Sequence, residues 1–162
     1  IDTSYRGTLD AIAELPKGTW RNVLTVDGYE QEIDLHAALT IAKDHITLDF
    51  DGTSGLSNKG INVPLNYATA YSVFALRCII GPDIPNNAGS LSPFRVTGPK
   101  DCILNAQPPA PVAMRHTLGQ MTPDLVYGCL AQVLPDKIPA EGASCMYDLP
   151  LRHVPELSLI HI

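Results

Sequence analysis

Four consecutive residues, Asp51-Gly52-Thr53-Ser54, end one alternating apolar run and stand before a polar loop and a long apolar stretch. A carboxylate, two hydroxyls and a glycine whose amide can approach a ligand closely could bind a carbonyl oxygen or a phosphate. Asn62 follows, just before the long apolar stretch. Further on, Asn86, Asn87 and Gly89 in DIPNNAGSLSP could supply amide donors to a carbonyl oxygen. Arg115 and His116 form a basic pair ahead of a second apolar stretch, where a helix N-terminus would assist them in holding a carboxylate or phosphate. Each group also has a plainer account. Asp-Gly and Ser-Gly are turn dipeptides, and Asn and Gly are common in turns. By local chemistry alone the turn is the better account of residues 51–54; for Arg115 and His116, a ligand site and a surface pair both stay open.

Two further groups of residues could do chemistry. Leu35–Ala42 and His45–Asp51 alternate, and a tight turn at Lys43-Asp44 makes them a hairpin. That turn sets Ala42 against His45, Thr40 against Thr47, Ala38 against Asp49 and His36 against Asp51. One face then carries Leu35, Leu39, Ile41, Ile46, Leu48 and Phe50. The other carries His36, His45, Asp49 and Asp51, which could bind a metal or serve as a polar sheet face. The polar face is favoured, because these side chains are spread along the hairpin rather than converging. Cys145 could be a nucleophile with His116 or His153 as base, but no spacing ties a base to it, so Cys145→Ala is expected to leave turnover intact. No CxxC pair, HExxH, Walker loop, GxSxG elbow or dinucleotide fingerprint occurs. Cys78, Cys102 and Cys129 read as free thiols, with Cys78 and Cys129 buried in apolar helical patterns.

The elements that must position these residues follow the change of hydrophobic period. Thr3–Leu15 has helical spacing and stops at Pro16-Lys17-Gly18. Thr19–Val26 reads as a strand, and Gly28–Asp34 as a polar loop. Leu65–Ile80 is apolar almost all round, which predicts a helix buried on most sides, its one charge, Arg77, reaching solvent or a carboxylate. Asp83–Pro93 reads as a turn-rich loop, Phe94–Thr97 as a short strand, and Cys102–Leu104 as another. The prolines of Asn105–Pro111 enforce an extended connection. Thr117–Leu134 has helical spacing, regular from about Thr122-Pro123, with Gly128 and Ala131 placed to pack on the first long helix. Ala140–Leu151 reads as a turn followed by a strand. The fold expected is α+β: an antiparallel hairpin or sheet with two long apolar helices packed on it.

Composition bounds the function. At 162 residues, 45% hydrophobic and 17% charged, the chain can bury a real core. A net charge of −6 argues against nucleic-acid and acidic-membrane surfaces, which call for a basic face. No run of 18 apolar residues spans a membrane. The opening IDTSYRG reads as the middle of a longer chain. Residues 1–156 are expected to be part of one domain, and Leu157–Ile162 breaks style as a tail that need not be native.

The ordered motifs DFDGTS, GINVP, ALRC, PDIPNNAG, LNAQPPA and LVYGCLAQVLPDKIPAEGASC, spread between Val23 and Pro155, resemble the hydantoinase B/oxoprolinase family. The resemblance implies a large cytoplasmic subunit working with a hydantoinase A-type, ATP-using partner. Such enzymes hydrolyse cyclic amides such as hydantoins or 5-oxoproline at a C–N bond; related members carboxylate acetone or acetophenone. ATP would be bound by the partner, and any divalent metal by a His/Asp cluster upstream of this segment, so no metal ligand is assigned here. A piece of this length is not expected to be active alone; a segment that only holds the partner subunit is a further alternative. AEGASCMYDLPL resembles the hydantoinase B branch more than oxoprolinases, which usually carry a Gln-Gly-Thr-Met-Asn-Asn-like run there, and so favours hydantoin-type substrates. With Asp51, Thr53 and Ser54 at a strand end, Asn62 before one helix and Arg115 and His116 before another, side-by-side helices running the same way would gather these residues, with Asn87, Gly52 and Gly89, at one edge. Antiparallel helices would separate Asn62 from His116 by ~20 Å.

Overall fold

The computed structural model describes residues 1–142 throughout, together with the backbone of Leu151–His153 and Ser158–Ile160. Cys145 and most of the Ala140–Leu151 stretch, expected to be a turn followed by a strand, lie outside the described residues. In chain order the elements are α1 (Asp2–Ala13), β1 (Gly18–Val26), β2 (Ile33–Ile41), β3 (Ile46–Asp49), α2 (Leu65–Ile79), α3 (Ala88–Leu91), β4 (Phe94–Thr97), α4 (His116–Gly119), α5 (Thr122–Leu130), β5 (Leu151–His153) and β6 (Ser158–Ile160). β5 and β6 pair antiparallel with each other.

The main sheet has the order β1-β2-β3-β4. β2 and β3 form the expected hairpin with Ala38 opposite Asp49 and Thr40 opposite Thr47, but β3 ends at Asp49, two residues short of the expected strand, so His36 does not face Asp51 and bonds instead to Thr53 beyond the turn. The chain then crosses over through α2 and returns as β4, parallel to β3, so the sheet is mixed rather than purely antiparallel. Period-two alternation puts Leu35, Leu39, Ile41, Ile46, Leu48 and Phe50 on one face, and all six are buried. Ile33 and Ala37 join them, so β2 begins inside the stretch expected to be a loop. Fully burying each large side chain contributes about 1.5–3 kcal/mol, which makes this face the main source of stability. The opposite face stays polar, with the Thr19 and Thr40 hydroxyls 2.9 Å apart and the Thr25 hydroxyl donating to the Asp34 carboxylate at 2.6 Å.

α2 starts after Pro64, whose φ of −64° suits a helix start, and buries Ala68, Ser72, Ala75 and Leu76. Three expectations change here. The helix is not covered all round, since Tyr71, Phe74 and Cys78 are exposed. Arg77 reaches neither solvent nor a carboxylate: its buried guanidinium donates to the carbonyls of Ile80 and Ile84 and to Asn86 Oδ1. Cys78 is exposed, whereas Cys102 and Cys129 are buried.

The second long helix is not one helix. The Pro123 nitrogen carries no proton for the Gly119 carbonyl four residues back, and the Thr122 hydroxyl takes that carbonyl instead at 2.9 Å. The stretch is therefore split into α4, four residues, and α5, nine. Gly128 does not face α2; a side chain there would collide with the Asn22 carboxamide on β1, which donates to the Leu125 carbonyl at 3.2 Å. Cys102 forms a single antiparallel bridge with Gly55 rather than a strand.

Candidate functional site

After β3 the chain turns at Asp51-Gly52. Gly52 has φ +90°, a conformation L side chains rarely adopt, and a Cβ there would press on the His36 ring. The turn returns Thr53 and Ser54 to the side of β2. The His36 amide donates to the Thr53 hydroxyl at 2.9 Å, and that hydroxyl donates back to the His36 carbonyl at 3.2 Å. The Asp34 amide donates to the Ser54 hydroxyl, and the Ser54 amide to the Asp34 carbonyl, both at 2.9 Å. Thr53 thus spends its hydroxyl on holding the turn. The Ser54 carbonyl accepts from the Ile103 amide, and the Ile103 carbonyl from the Val63 amide, at 2.9 and 2.8 Å. Ser54 and the start of α2 are one backbone step apart.

A fully buried Asn62 ties this corner together. Its Oδ1 accepts from the Ser57 amide at 2.8 Å, and its Nδ2 faces the carbonyls of Ser57, Lys59 and Pro111 at 2.9, 3.0 and 2.9 Å. The Met114 amide donates to the Gly60 carbonyl at 2.7 Å. Arg115 then lies with its guanidinium 5.8 Å from the Tyr67 ring centroid, a cation–π contact with the first turn of α2. Burial, with the neighbouring Tyr71 hydroxyl, pushes the Tyr67 phenol up to about 12, so it stays protonated at neutral pH.

α2 and α5 run the same way. A side chain on Gly119, just before α5, would overlap the Tyr67 ring, and Cys78 near the end of α2 interacts with Tyr127 in α5. The helix starts therefore share one end, which brings Ser54, Asn62 and Arg115 to one corner, with His116 next in chain. Asn87 and Gly89 do not join them. Asn87 caps α3, accepting from the Gly89 and Ser90 amides, and donates to the Ser4 hydroxyl of α1; Gly89 is pressed against the Ile1 carbonyl. Their loop is held by Arg77, twelve residues along α2 from Leu65, or ~18 Å. Asp51 is exposed, its amide donating to Asp49 Oδ1 at 3.3 Å.

Beside Ser54 lies an open cavity of about 240 Å³. Tyr29, Glu30, Gln31, Ser54, Ser57 and Asn58 line it, and the Asn58 carboxamide donates to the Glu30 carboxylate at 3.0 Å. No lysine or arginine lines it. Tyr29, Glu30, Gln31 and Asn58 are not among the residues that sequence reasoning brings forward. The one signal for them is a polar loop, Gly28–Asp34, longer than a strand connection needs. Among the described residues no group of three His, Cys, Asp or Glu side chains could hold a metal ion, and no helix is long and apolar enough to cross a membrane.

A mixed four-stranded sheet, helices packed on it and a small polar cavity between the 29–33 and 54–58 segments define an α+β unit. The chain belongs to the hydantoinase B/oxoprolinase family, whose profile matches residues 1–157. The B-type subunit of a putative D-/L-hydantoinase from Pseudomonas sp. (strain NS671) is 29% identical over 146 residues, 81% of this chain and 24% of that protein. The 5-oxoprolinase 1 of Arabidopsis thaliana is 30% identical over 120 residues, 70% of this chain and 10% of that one. The fold is shared with the ATP-dependent caprolactamase of Pseudomonas jessenii (TM-score 0.74, 20% identity, 84% of this chain and 24% of that one). It is also shared with a nucleotide-free acetone carboxylase (TM-score 0.76, 16% identity, 87% and 22%). The chain thus spans about a quarter or less of the length of these relatives.

Proposed function

We propose that this chain is a segment of the B-type subunit of a cytoplasmic, ATP-dependent cyclic-amide hydrolase, acting on a C–N bond together with an A-type, ATP-using subunit. The observation that carries this is the family match along residues 1–157, supported by the similarity to a B-type hydantoinase subunit over 81% of the chain. The segment's contribution is one wall of the substrate site. At about 240 Å³ the cavity lies below the range of drug-sized pockets and suits a small ring. The Gln31 and Asn58 carboxamides and the Ser54 and Ser57 hydroxyls are neutral groups suited to an amide N–H and C=O. Glu30, with no cation on the wall, disfavours a substrate bearing a carboxylate, so a neutral hydantoin-type ring is preferred over 5-oxoproline.

This cavity does not fit a triphosphate, since it offers a carboxylate where phosphates need cations or a glycine-rich loop. ATP binding is accordingly assigned to the partner, and any divalent metal to sequence outside these residues.

Co-expressing the full-length subunit with its A-type partner tests the proposal. ATP-dependent ring opening of a neutral hydantoin, followed by chromatography, is the expected result. Turnover only of a ketone, dependent on bicarbonate, would make it part of a carboxylase and overturn the assignment. Ring opening that survives Glu30→Arg and Asn58→Ala unchanged would leave the segment a scaffold.

A further inference from the structure

α2 presents a second apolar seam, outward at its middle. Tyr67, Tyr71, Phe74 and Cys78 follow one another by four, three and four residues, the spacing at which one helix packs along another; its ends touch this chain's own elements, Tyr67 at Gly119 and Cys78 at Tyr127, and Tyr71 and Phe74 between them are exposed. The Tyr67 and Tyr71 rings stack with centroids 4.9 Å apart and planes 13° from parallel. Phe74 is 60% exposed and Tyr71 37%, and Leu91 of α3 continues the patch at 37%. A cavity of about 350 Å³ runs beside it, lined mainly by Ala70, Val73, Phe74, Leu91 and Phe94, with Arg77 and Asn86, hydrogen-bonded to each other, on one side. The one charged side chain of the helix, Arg77, borders the cavity but is 5% exposed and spends its donors on the Ile80 and Ile84 carbonyls and Asn86, so it offers this face no free charge. An aromatic side chain this exposed in an uncharged helical seam marks a contact surface rather than a solvent face.

We infer that this seam is covered by an uncharged face of a helix from the same full-length subunit, contributed by sequence outside residues 1–162. The share of the relatives covered supports this occupant. A segment matching 24% of a B-type hydantoinase subunit, and 22–24% of two solved chains of the same fold, leaves about three quarters of a relative-sized protein to be packed against it. The inward face of α2 is already taken by α5 and β4. The recess beside the seam offers no carboxylate, so a basic partner gains nothing there. The inference does not depend on which reaction the subunit performs.

Replacing Phe74 with a photo-cross-linking phenylalanine analogue in the dilute full-length subunit, then mapping the linked peptides, tests it. The expected product is an intramolecular link to a helix outside residues 1–162. A link to a second copy, a link formed only with the A-type partner, or no link would overturn it. Maleimide labelling of the native Cys78 needs no substitution. In the folded subunit without its partner, Cys78 is expected to react at least tenfold more slowly than in urea, and labelling within twofold of the urea rate would overturn the inference.

Discussion

Replacing Asn62 by alanine removes the knot that joins the 57–60 loop to the chain at Pro111. Oδ1 contributes one hydrogen bond, to the Ser57 amide. Nδ2 has two protons for three carbonyls at 2.9–3.0 Å, so it contributes two full bonds, one of them shared. Three bonds at about 1 kcal/mol each give a loss of ~3 kcal/mol. For a cooperative unit of about 150–250 residues that is a fall of roughly 6–12 °C in melting temperature. Asn62→Asp sharpens the test. It keeps Oδ1 but sets a carboxylate against three carbonyl oxygens in a buried site, so it destabilises more than alanine at pH 7. Burial raises the folded-state pKa of such a carboxyl above its unfolded value, so the aspartate variant regains stability as pH falls through that raised pKa. Urea denaturation of the full-length subunit at pH 7 and pH 5 measures both. A loss under 1 kcal/mol for Asn62→Ala, or an aspartate variant as stable as wild type at pH 7, would refute the knot.

The Ser72 hydroxyl is buried without a partner, so Ser72→Ala is expected to stabilise the fold by about 1 kcal/mol in the same denaturation assay. Arg77→Lys is expected to be nearly as damaging as Arg77→Met, both by roughly 2–4 kcal/mol, because an ammonium cannot reproduce a fork aimed at the Ile80 and Ile84 carbonyls and Asn86; full rescue by lysine in thermal melts would contradict this. Burial pushes the Cys129 thiol from 9.0 to about 11. Between those values the unfolded chain has released a proton that the folded one retains, so stability falls as pH rises from about 9 to 11, and Cys129→Ala is expected to flatten that part of the curve.

The hairpin was legible because strict alternation from Leu35 to Phe50 leaves one register that buries every large apolar side chain. α2 was legible in extent for a similar reason, with Pro64 and Gly81-Pro82 as its stops. What could not be read was which of its faces are covered. All-round apolarity predicts burial, yet Phe74 and Cys78 are exposed. Arg77 looked like a surface charge, since nothing in its neighbourhood announces carbonyls as partners. Asn87 and Asn62 look alike in sequence, each an asparagine in a turn-rich polar stretch. Only packing separates them: Asn87 caps α3 against α1, while Asn62 sits at the corner with Ser54 and Arg115. The break between α4 and α5 was half visible in Pro123, and the Thr122 hydroxyl that seals it was not.

The parallel pairing of β4 with β3 has a consequence for how the chain is made. β1, β2 and β3 can assemble once Asp49 is available, but the outer edge of β3 waits for Thr97, 48 residues later. At about 5–20 residues per second, a ribosome leaves that edge of Ile46–Asp49 unpaired for roughly 2–10 s. An open edge carrying Ile46 and Leu48 is a template for pairing with a neighbouring chain. α2 is made within that interval, but the elements it packs against, β4, α4 and α5, all follow it in the chain, so the edge of β3 stays open until β4 itself arrives.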